Sequence, residues 1–417
     1  MQLKTILNRV EPLKSFVYAA DRIIEGPNGP VIEIEIQPRQ NSRPACSGCG
    51  RKCPGYDHLE QRRFEFVPLW GIAVTFLYVM RRVKCPRCDV KVELLPWAEG
   101  KEHLTRTYQW FLARWAKRLS WSDVAVAFSV SWEHVYHSVR MAVGWGLAQR
   151  SLDGIEAIGI DEVAWHKGHI YLTLVYQIDK GVRRLLYVGA DRTKDSLRGF
   201  FTVLGVRRSA LLKFICSDMW KPYLAVIAEQ ARQATHVLDR YHIMALMHKA
   251  IDAVRAEEVK RLKQEGYEPV LKHSRWCLLK RAFNLTARQV VRLSELLKYN
   301  LATVRAYLLK EDFHRFWNYK SPFWATQFLK QWCTRTMRSR IGPMKDVART
   351  LRTHEGLILN WFHAKGTISA GIVEGLNVNV KLTMRKAYGF RTFEAVETAL
   401  YHSLGELPEP PHTHRFC

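Results

Sequence analysis

The stretch Ile158-Gly159-Ile160-Asp161-Glu162 decides how this chain is read. Apolar residues run into a carboxylate, as in the middle or at the end of a buried β-strand. An ionised carboxylate taken out of water must be paired or bound to a metal, so Asp161 calls for a partner. Apolar stretches follow at Ile170 to Ile178 and Val182 to Ala190. The polar segments between them, Trp165-His166-Lys167-Gly168 and Asp179-Lys180-Gly181, fit hairpin turns. Thr193 to Val206 has a helical pattern. Leu211 to Ser217 is another apolar strand ending in a carboxylate, Asp218. A helix over Pro222 to Gln233 and a strand over Thr235 to Leu238, closed by Asp239, complete the region.

Three antiparallel strands, then strands alternating with helices, are the order of an RNase H-like mixed sheet covered by helices. From Tyr241 to about Gly366 the chain is basic and helical, and reads as an all-α insertion in which Trp317, Trp324 and Trp332 belong to the core. A further helix begins near Ser369. On it Glu374, Asn377, Lys381 and Arg385 share one face, while Val373, Leu376, Val380 and Ala387 form a neighbouring face suited to packing on the sheet. Gly371 and Gly375 each cost about 1 kcal/mol relative to Ala in a helix, which makes sense if this helix approaches something closely.

Asp161, Asp218 and Glu374 therefore form a candidate cluster. Three neighbouring carboxylates repel and raise one another's pKa; divalent ions relieve this. Two Mg2+ (or Mn2+) ions about 3.5–4 Å apart suit phosphodiester chemistry, and Mg2+ needs few protein carboxylates because waters and phosphates complete its shell. Glu162 and Asp239 are expected in salt bridges to Lys or Arg. His166, His169 and His242 are read as structural hydrogen-bonding groups.

Towards the N-terminus, Val31 to Ile36 alternates apolar and acidic, a strand with one buried face. Cys46-Ser47-Gly48-Cys49 and Cys85-Pro86-Arg87-Cys88 are two CxxC knuckles. Four thiolates suit one tetrahedral, structural Zn2+ with no open position. Strands over Phe64 to Val67 and Val74 to Val83 would bring the knuckles together; Cys53 is a substitute ligand or a bystander. A short helix capped by Ser122, a turn at Ser129-Val130-Ser131 and a helix from Trp132 to Val143 have helix-turn-helix spacing, with His134, His137, Ser138 and Arg140 on the DNA-facing side.

The 417 residues carry a formal charge of +25 and 12% aromatics, which points to a polyanionic partner, nucleic acid first. No apolar run reaches the ~18 residues of a membrane helix, and Met1-Gln2-Leu3-Lys4-Thr5 lacks a signal peptide's apolar core. A cytoplasmic protein is expected, in which paired Cys serve metal rather than disulfides. His412, His414 and Cys417 are read as a frayed terminus.

Taken together, the chain resembles the ISL-three family of bacterial insertion-sequence transposases of the DDE class. The matching residues are the two CxxC knuckles, Gly159-Ile160-Asp161-Glu162 with Lys167-Gly168-His169 and Tyr171, Ser217-Asp218-Met219, Asp239-Arg240-Tyr241-His242, and Glu374-Gly375-Leu376-Asn377 with Lys381, Arg385 and Ala387-Tyr388-Gly389-Phe390. The resemblance spans about residues 40 to 400. It implies an RNase H-like core interrupted by a helical insertion, with Asp161, Asp218 and Glu374 as catalytic triad.

The expected organisation is a zinc-binding domain (1–100), a helix-turn-helix domain (101–150), the first part of the core (151–240), the insertion (241–366), the core's C-terminal helices (367–405) and a flexible tail (406–417). The expected activity is cleavage and strand transfer at an element's terminal inverted repeats, with double-stranded DNA as partner, Lys381 and Arg385 on phosphates, a homodimer or larger assembly on DNA, and no membrane. The alternatives are a non-catalytic DNA-binding regulator descended from a transposase, or an RNase H-like structure-selective nuclease.

Overall fold

The computed structural model describes residues 2–27, 29–166, 168, 170–267, 271–299, 301–364, 370–387 and 389–411. Lys167, His169, Ser369, Tyr388, His412, His414 and Cys417 lie outside the described residues. The chain forms two compact units, residues 1–150 with 383–417, and residues 151–382.

In the first unit, α1 (Leu3–Val10) precedes β1 (Phe16–Gly26), β2 (Gly29–Pro38), the long hairpin β3 (Gly55–Leu69) and β4 (Ile72–Cys85), and β5 (Asp89–Val92). The sheet order is β1-β2-β4-β3, with β5 also on β4. Its core centres on Trp97, whose ring meets Phe16, Tyr78 and Phe64 edge-on at 4.9, 5.3 and 6.1 Å, a favoured aromatic geometry. The alternation in β2 holds only partly. Ile32, Ile34 and Ile36 are buried as expected, but so is Glu33, because β2 lies between β1 and β4. Its carboxylate is held by Arg22 at 2.6 Å and Arg63 at 2.7 Å.

Helices α2 (Arg106–Arg118), α3 (Trp121–Ala127) and α4 (Trp132–Gln149) follow. Ser120, not Ser122, caps α3: its hydroxyl accepts from the Asp123 N–H while the Asp123 side chain reaches back to the Ser120 N–H. Ser131 caps α4. Ser138 leaves the expected exposed face; it is fully buried and its hydroxyl donates to the His134 carbonyl. Glu409, in the stretch read as a tail, accepts from Arg114 and Lys117 at 2.9 and 2.6 Å.

The second unit opens with β6 (Ala157–His166), β7 (Ile170–Gln177) and β8 (Arg184–Gly189), an antiparallel meander. Then come α5 (Lys194–Leu204), α6 (Val206–Ser209), β9 (Phe214–Ser217), α7 (Lys221–Gln230) and β10 (Thr235–Leu238). The order is β10-β9-β6-β7-β8, with β9 parallel to both β6 and β10. This mixed sheet is compatible with the expected RNase H-like core. Ile158 and Ile160 on one face of β6 pack with Phe200 of α5 and Tyr223 of α7.

Helices α8 (Arg240–Gln264), α9 (Arg275–Leu279), α10 (Ala287–Leu296), α11 (Ala302–His314), α12 (Pro322–Arg338), α13 (Gly342–Thr353) and α14 (Glu355–His363) form the expected all-α region. Phe313, Phe316 and Trp332 sit at its core. Trp317 is buried with them, but Trp324 is 60% exposed at the start of α12, where the chain has only just entered the helix. The last helices are α15 (Ala370–Lys386) and α16 (Phe393–Leu404). Among the described residues no helix is long and apolar enough to cross a membrane.

Candidate active site and metal centre

Three acids stand where the parallel pairing of three adjacent strands stops, Asp161 in the middle of β6 and Asp218 and Asp239 just past β9 and β10. Gly159 of β6 lies opposite Cys216 of β9, so Asp161 and Asp218, each two residues further on, are level neighbours. Leu238 of β10 lies opposite Ser217, which sets Asp239 beside Asp218. The crevice beyond the carboxyl ends of parallel strands is where open α/β sheets bind ligands. All three acids are at most 8% exposed.

Successive strand residues face opposite ways, and β6 uses both faces. Gly159 and Asp161 face α15. A Cβ on Gly159 would lie 2.5 Å from Val373 Cγ2, so the helix packs directly on the glycine backbone. This relocates the close approach expected of Gly371 and Gly375: Gly371 is exposed, and a Cβ on Gly375 would meet open space. Val373, Leu376 and Val380 are the buried face of α15, as expected. One turn along, Asn377 donates from Nδ2 to Asp161 Oδ2 at 2.6 Å and accepts from the Tyr176 hydroxyl at 2.7 Å. Glu374, one turn before Asn377, is exposed, as are Lys381 and Arg385.

Glu162 faces the other way. Its Oε1 lies 2.6 Å from Arg192 Nη2, the salt bridge expected of it. The same nitrogen is 3.2 Å from Asp218 Oδ2, whose other oxygen accepts from the Trp220 N–H at 3.0 Å. Asp239 departs from expectation: among the described residues it has no Lys or Arg partner, and instead caps α8 by accepting from the Tyr241 N–H at 2.7 Å. His242 Nε2 lies 3.6 Å from Asp161 Oδ1, so it faces the acids directly. His166 is exposed at the end of β6.

The electrostatics follow from crowding. Burial, with the charge of Asp218, pushes the Glu162 carboxyl up to about 7. Burial raises Asp239 to about 6, with Asp161 and Glu374 adding to it, and raises Asp218 as well. Burial works against a charge on His242, yet Asp161, Asp239 and Asp218 together raise it to about 9. Asp161, Glu162, Asp218 and Asp239 thus crowd round two cations, Arg192 and His242, more acids than cations. No three ligand atoms of these acids and His242 lie within 4.8 Å of one another among the described residues.

The four knuckle cysteines do meet that closeness. The hairpin of β3 and β4 returns Cys85 beside the first knuckle, with Cys49 Sγ and Cys85 Sγ 3.6 Å apart. The Gly48 N–H points at Cys46 Sγ, and a Cβ there would lie 3.1 Å from Cys88 Sγ, so the knuckle has no room for a side chain. Backbone N–H groups of Arg87 and Cys88 pull the Cys85 thiol down to about 6, despite burial. A four-thiol pocket of this kind fits Zn2+. Cys53 is buried alongside but outside the four, and its thiol points to the Arg51 carbonyl.

In the segment expected to be a helix-turn-helix, His134 and His137 are half-buried, and Arg140 is exposed and paired with Glu394 at 3.0 Å. Sequence reasoning missed Arg192 and Tyr176. Arg192 sits in a polar turn whose pattern marks nothing, and Tyr176 is one more apolar strand residue until its hydroxyl is seen.

Comparison with known proteins bears on the whole chain. It is 29% identical over 382 residues to the transposase for insertion sequence element IS1001 of Bordetella parapertussis, covering 90% of this chain and 93% of that protein. It is 28% identical over 414 residues to the transposase for insertion sequence element IS1557 of Mycobacterium tuberculosis, covering 93% and 92%. A transposase family model, that of the ISL-three group, matches residues 158–400, from the strand of Asp161 to the last helix. With Asp161 and Asp218 level on β6 and after β9 inside that span, the chain belongs to the ISL-three family of DDE transposases.

Proposed function

We propose that this transposase cuts and joins DNA at the terminal inverted repeats of its element through an RNase H-like core in which Asp161, Asp218 and Glu374 hold two Mg2+ or Mn2+ ions. The reading rests above all on Asp161 and Asp218 standing level where the parallel pairing of β6 and β9 stops, with more carboxylates around them than protein cations. When bound, such ions supply activation of a water or 3′-hydroxyl and stabilisation of the leaving oxygen. Asn377 fixes Asp161 by holding one carboxylate oxygen, leaving the other toward His242. The Trp220 N–H fixes Asp218 in the same way. Glu374 is the exposed acid, carried on α15 by the packing of Val373 on Gly159. Lys381 and Arg385, exposed further along α15, suit phosphate contact.

Residues 1–100 act as a module with one structural Zn2+ on Cys46, Cys49, Cys85 and Cys88, and residues 101–150 as a helix-turn-helix that presents His134, His137 and Arg140 to the repeats. Residues 241–366 are the insertion and 367–405 return the third acid. Synapsis of two ends calls for a dimer or larger assembly. The test uses Asp161→Ala, Asp218→Ala and Glu374→Ala with labelled duplexes carrying the element's ends and Mg2+. Binding persists while cleavage and joining disappear; cleavage at the wild-type rate in any of the three overturns the assignment of that acid.

A further inference from the structure

Arg192 lies in the turn between β8 and α5, and nothing in the triad reading uses it. One terminal nitrogen is shared between Glu162 at 2.6 Å and Asp218 at 3.2 Å. The guanidinium lies over the Trp220 ring at 4.4 Å and over the Tyr171 ring at 5.9 Å, against two aromatic faces. Among the described residues, Arg192 Nε is buried without a hydrogen-bond partner, and so is Glu162 Oε2. A guanidinium has five N–H donors in a planar fork and pairs best with two oxygens at once. Here one nitrogen serves two carboxylates while Nε has no partner among the described residues. This arrangement anchors the cation without satisfying it.

We propose that Arg192 is a phosphate-binding residue whose hold on Asp218 competes with a divalent ion for that carboxylate. With a divalent ion on Asp218, that contact turns from attraction to competition, since like charges repel across a shared carboxylate. Glu162, which faces away from Asp161, keeps the guanidinium in place, and Trp220 and Tyr171 restrict its swing. The released N–H groups then face the crevice at the strand ends, where a DNA phosphate would enter. Arg192 thus reserves Asp218 before loading and supplies a fork to a phosphate oxygen afterwards. This inference rests on Asp218 being a metal ligand.

The test measures metal and DNA chemistry separately. Mn2+ is titrated into the full chain without DNA, with free Mn2+ followed by electron paramagnetic resonance, for wild type, Arg192→Gln, Arg192→Lys and Asp218→Asn. The expected result is Mn2+ binding about tenfold or more tighter in Arg192→Gln, near wild-type binding in Arg192→Lys, and loss of a bound ion in Asp218→Asn. At saturating Mg2+, single-turnover cleavage of element ends falls about a hundredfold in Arg192→Gln and is partly restored in Arg192→Lys. A purely structural arginine would give the opposite first result, weaker Mn2+ binding. Weaker or unchanged Mn2+ binding in Arg192→Gln, with Asp218→Asn still losing an ion, overturns the role of Arg192 alone. Unchanged Mn2+ binding in Asp218→Asn overturns the metal-ligand reading, and the Arg192 inference with it.

Discussion

Gly159→Ala tests whether the position of α15 governs catalysis. Gly159 is in extended strand backbone, so Ala is conformationally allowed and should by itself gain roughly 0.5–1 kcal/mol of backbone entropy. The new methyl would instead sit 2.5 Å from Val373 Cγ2, where ordinary contact begins near 3.4 Å. Restoring that contact moves the helix outward by about 1 Å, at an overpacking cost of about 1–3 kcal/mol. Val373 precedes Glu374 and lies one turn from Asn377. The Asn377–Asp161 hydrogen bond, 2.6 Å long, would stretch to about 3.6 Å and cease to be one. A misplacement of this size costs about a hundredfold in rate. The assay is single-turnover cleavage of labelled ends in Mg2+, with thermal melting as control: a small change in melting beside a large loss of rate. Val373→Ala in the same background removes the colliding methyl and should recover much of the rate. A Gly159→Ala enzyme that folds normally and cleaves within about threefold of wild type would refute the reasoning.

Asn377→Ala leaves the Asp161 oxygen and the buried Tyr176 hydroxyl without their partner, a loss of about 1–3 kcal/mol by denaturant melting; cleavage should fall about 10–100-fold, and a variant of wild-type rate would remove Asn377 from the site. Purified protein should contain about one Zn2+ per chain, lost in the Cys46→Ser, Cys85→Ser double variant together with a fall in melting temperature; full zinc in that variant would disprove the ligand set. His402 is buried in α16, and burial lowers it to about 3, far below its value in the unfolded chain. The unfolded state therefore binds the proton first, so stability is whole above about pH 6.5 and falls as pH drops below it, by up to about 1.4 kcal/mol per unit. His402→Gln should flatten the melting curve between pH 6.5 and 5, and an unchanged slope would count against a neutral His402.

Much of the site could be read from order along the chain. Apolar runs into Asp161, Asp218 and Asp239 bring these acids together only if their strands are adjacent and parallel, and β6, β9 and β10 are. The helical phase of α15 also held, with Val373, Leu376 and Val380 inward. Its glycines misled, because a helical Gly signals close packing only on the face that is packed, and Gly375 is on the open side. The glycine that mattered, Gly159, sat in a strand where it looked like one more small apolar residue. The α3 cap moved from Ser122 to Ser120 because Asp123 completes a reciprocal pair only with Ser120. Asp239 was expected in a salt bridge because Lys and Arg are abundant, but abundance does not set geometry, and the start of α8 offered its carboxylate a backbone N–H instead. Arg192 could not be found at all: its meaning depends on three residues distant in sequence, Glu162, Asp218 and Tyr171.

The hydrogen bond from Asn377 to Asp161 joins residues 216 positions apart. At roughly 5–20 residues per second on the ribosome, Asn377 emerges some 10–40 s after Asp161. Through that interval β6 can pair with β7 and β9, but its acid waits without the amide that fixes it. The N-terminal unit waits longer still, since Glu409 closes onto Arg114 from 295 positions away. A chain stopped anywhere between α8 and α14 would lack both Asn377 and Glu409, and would leave both units unsealed.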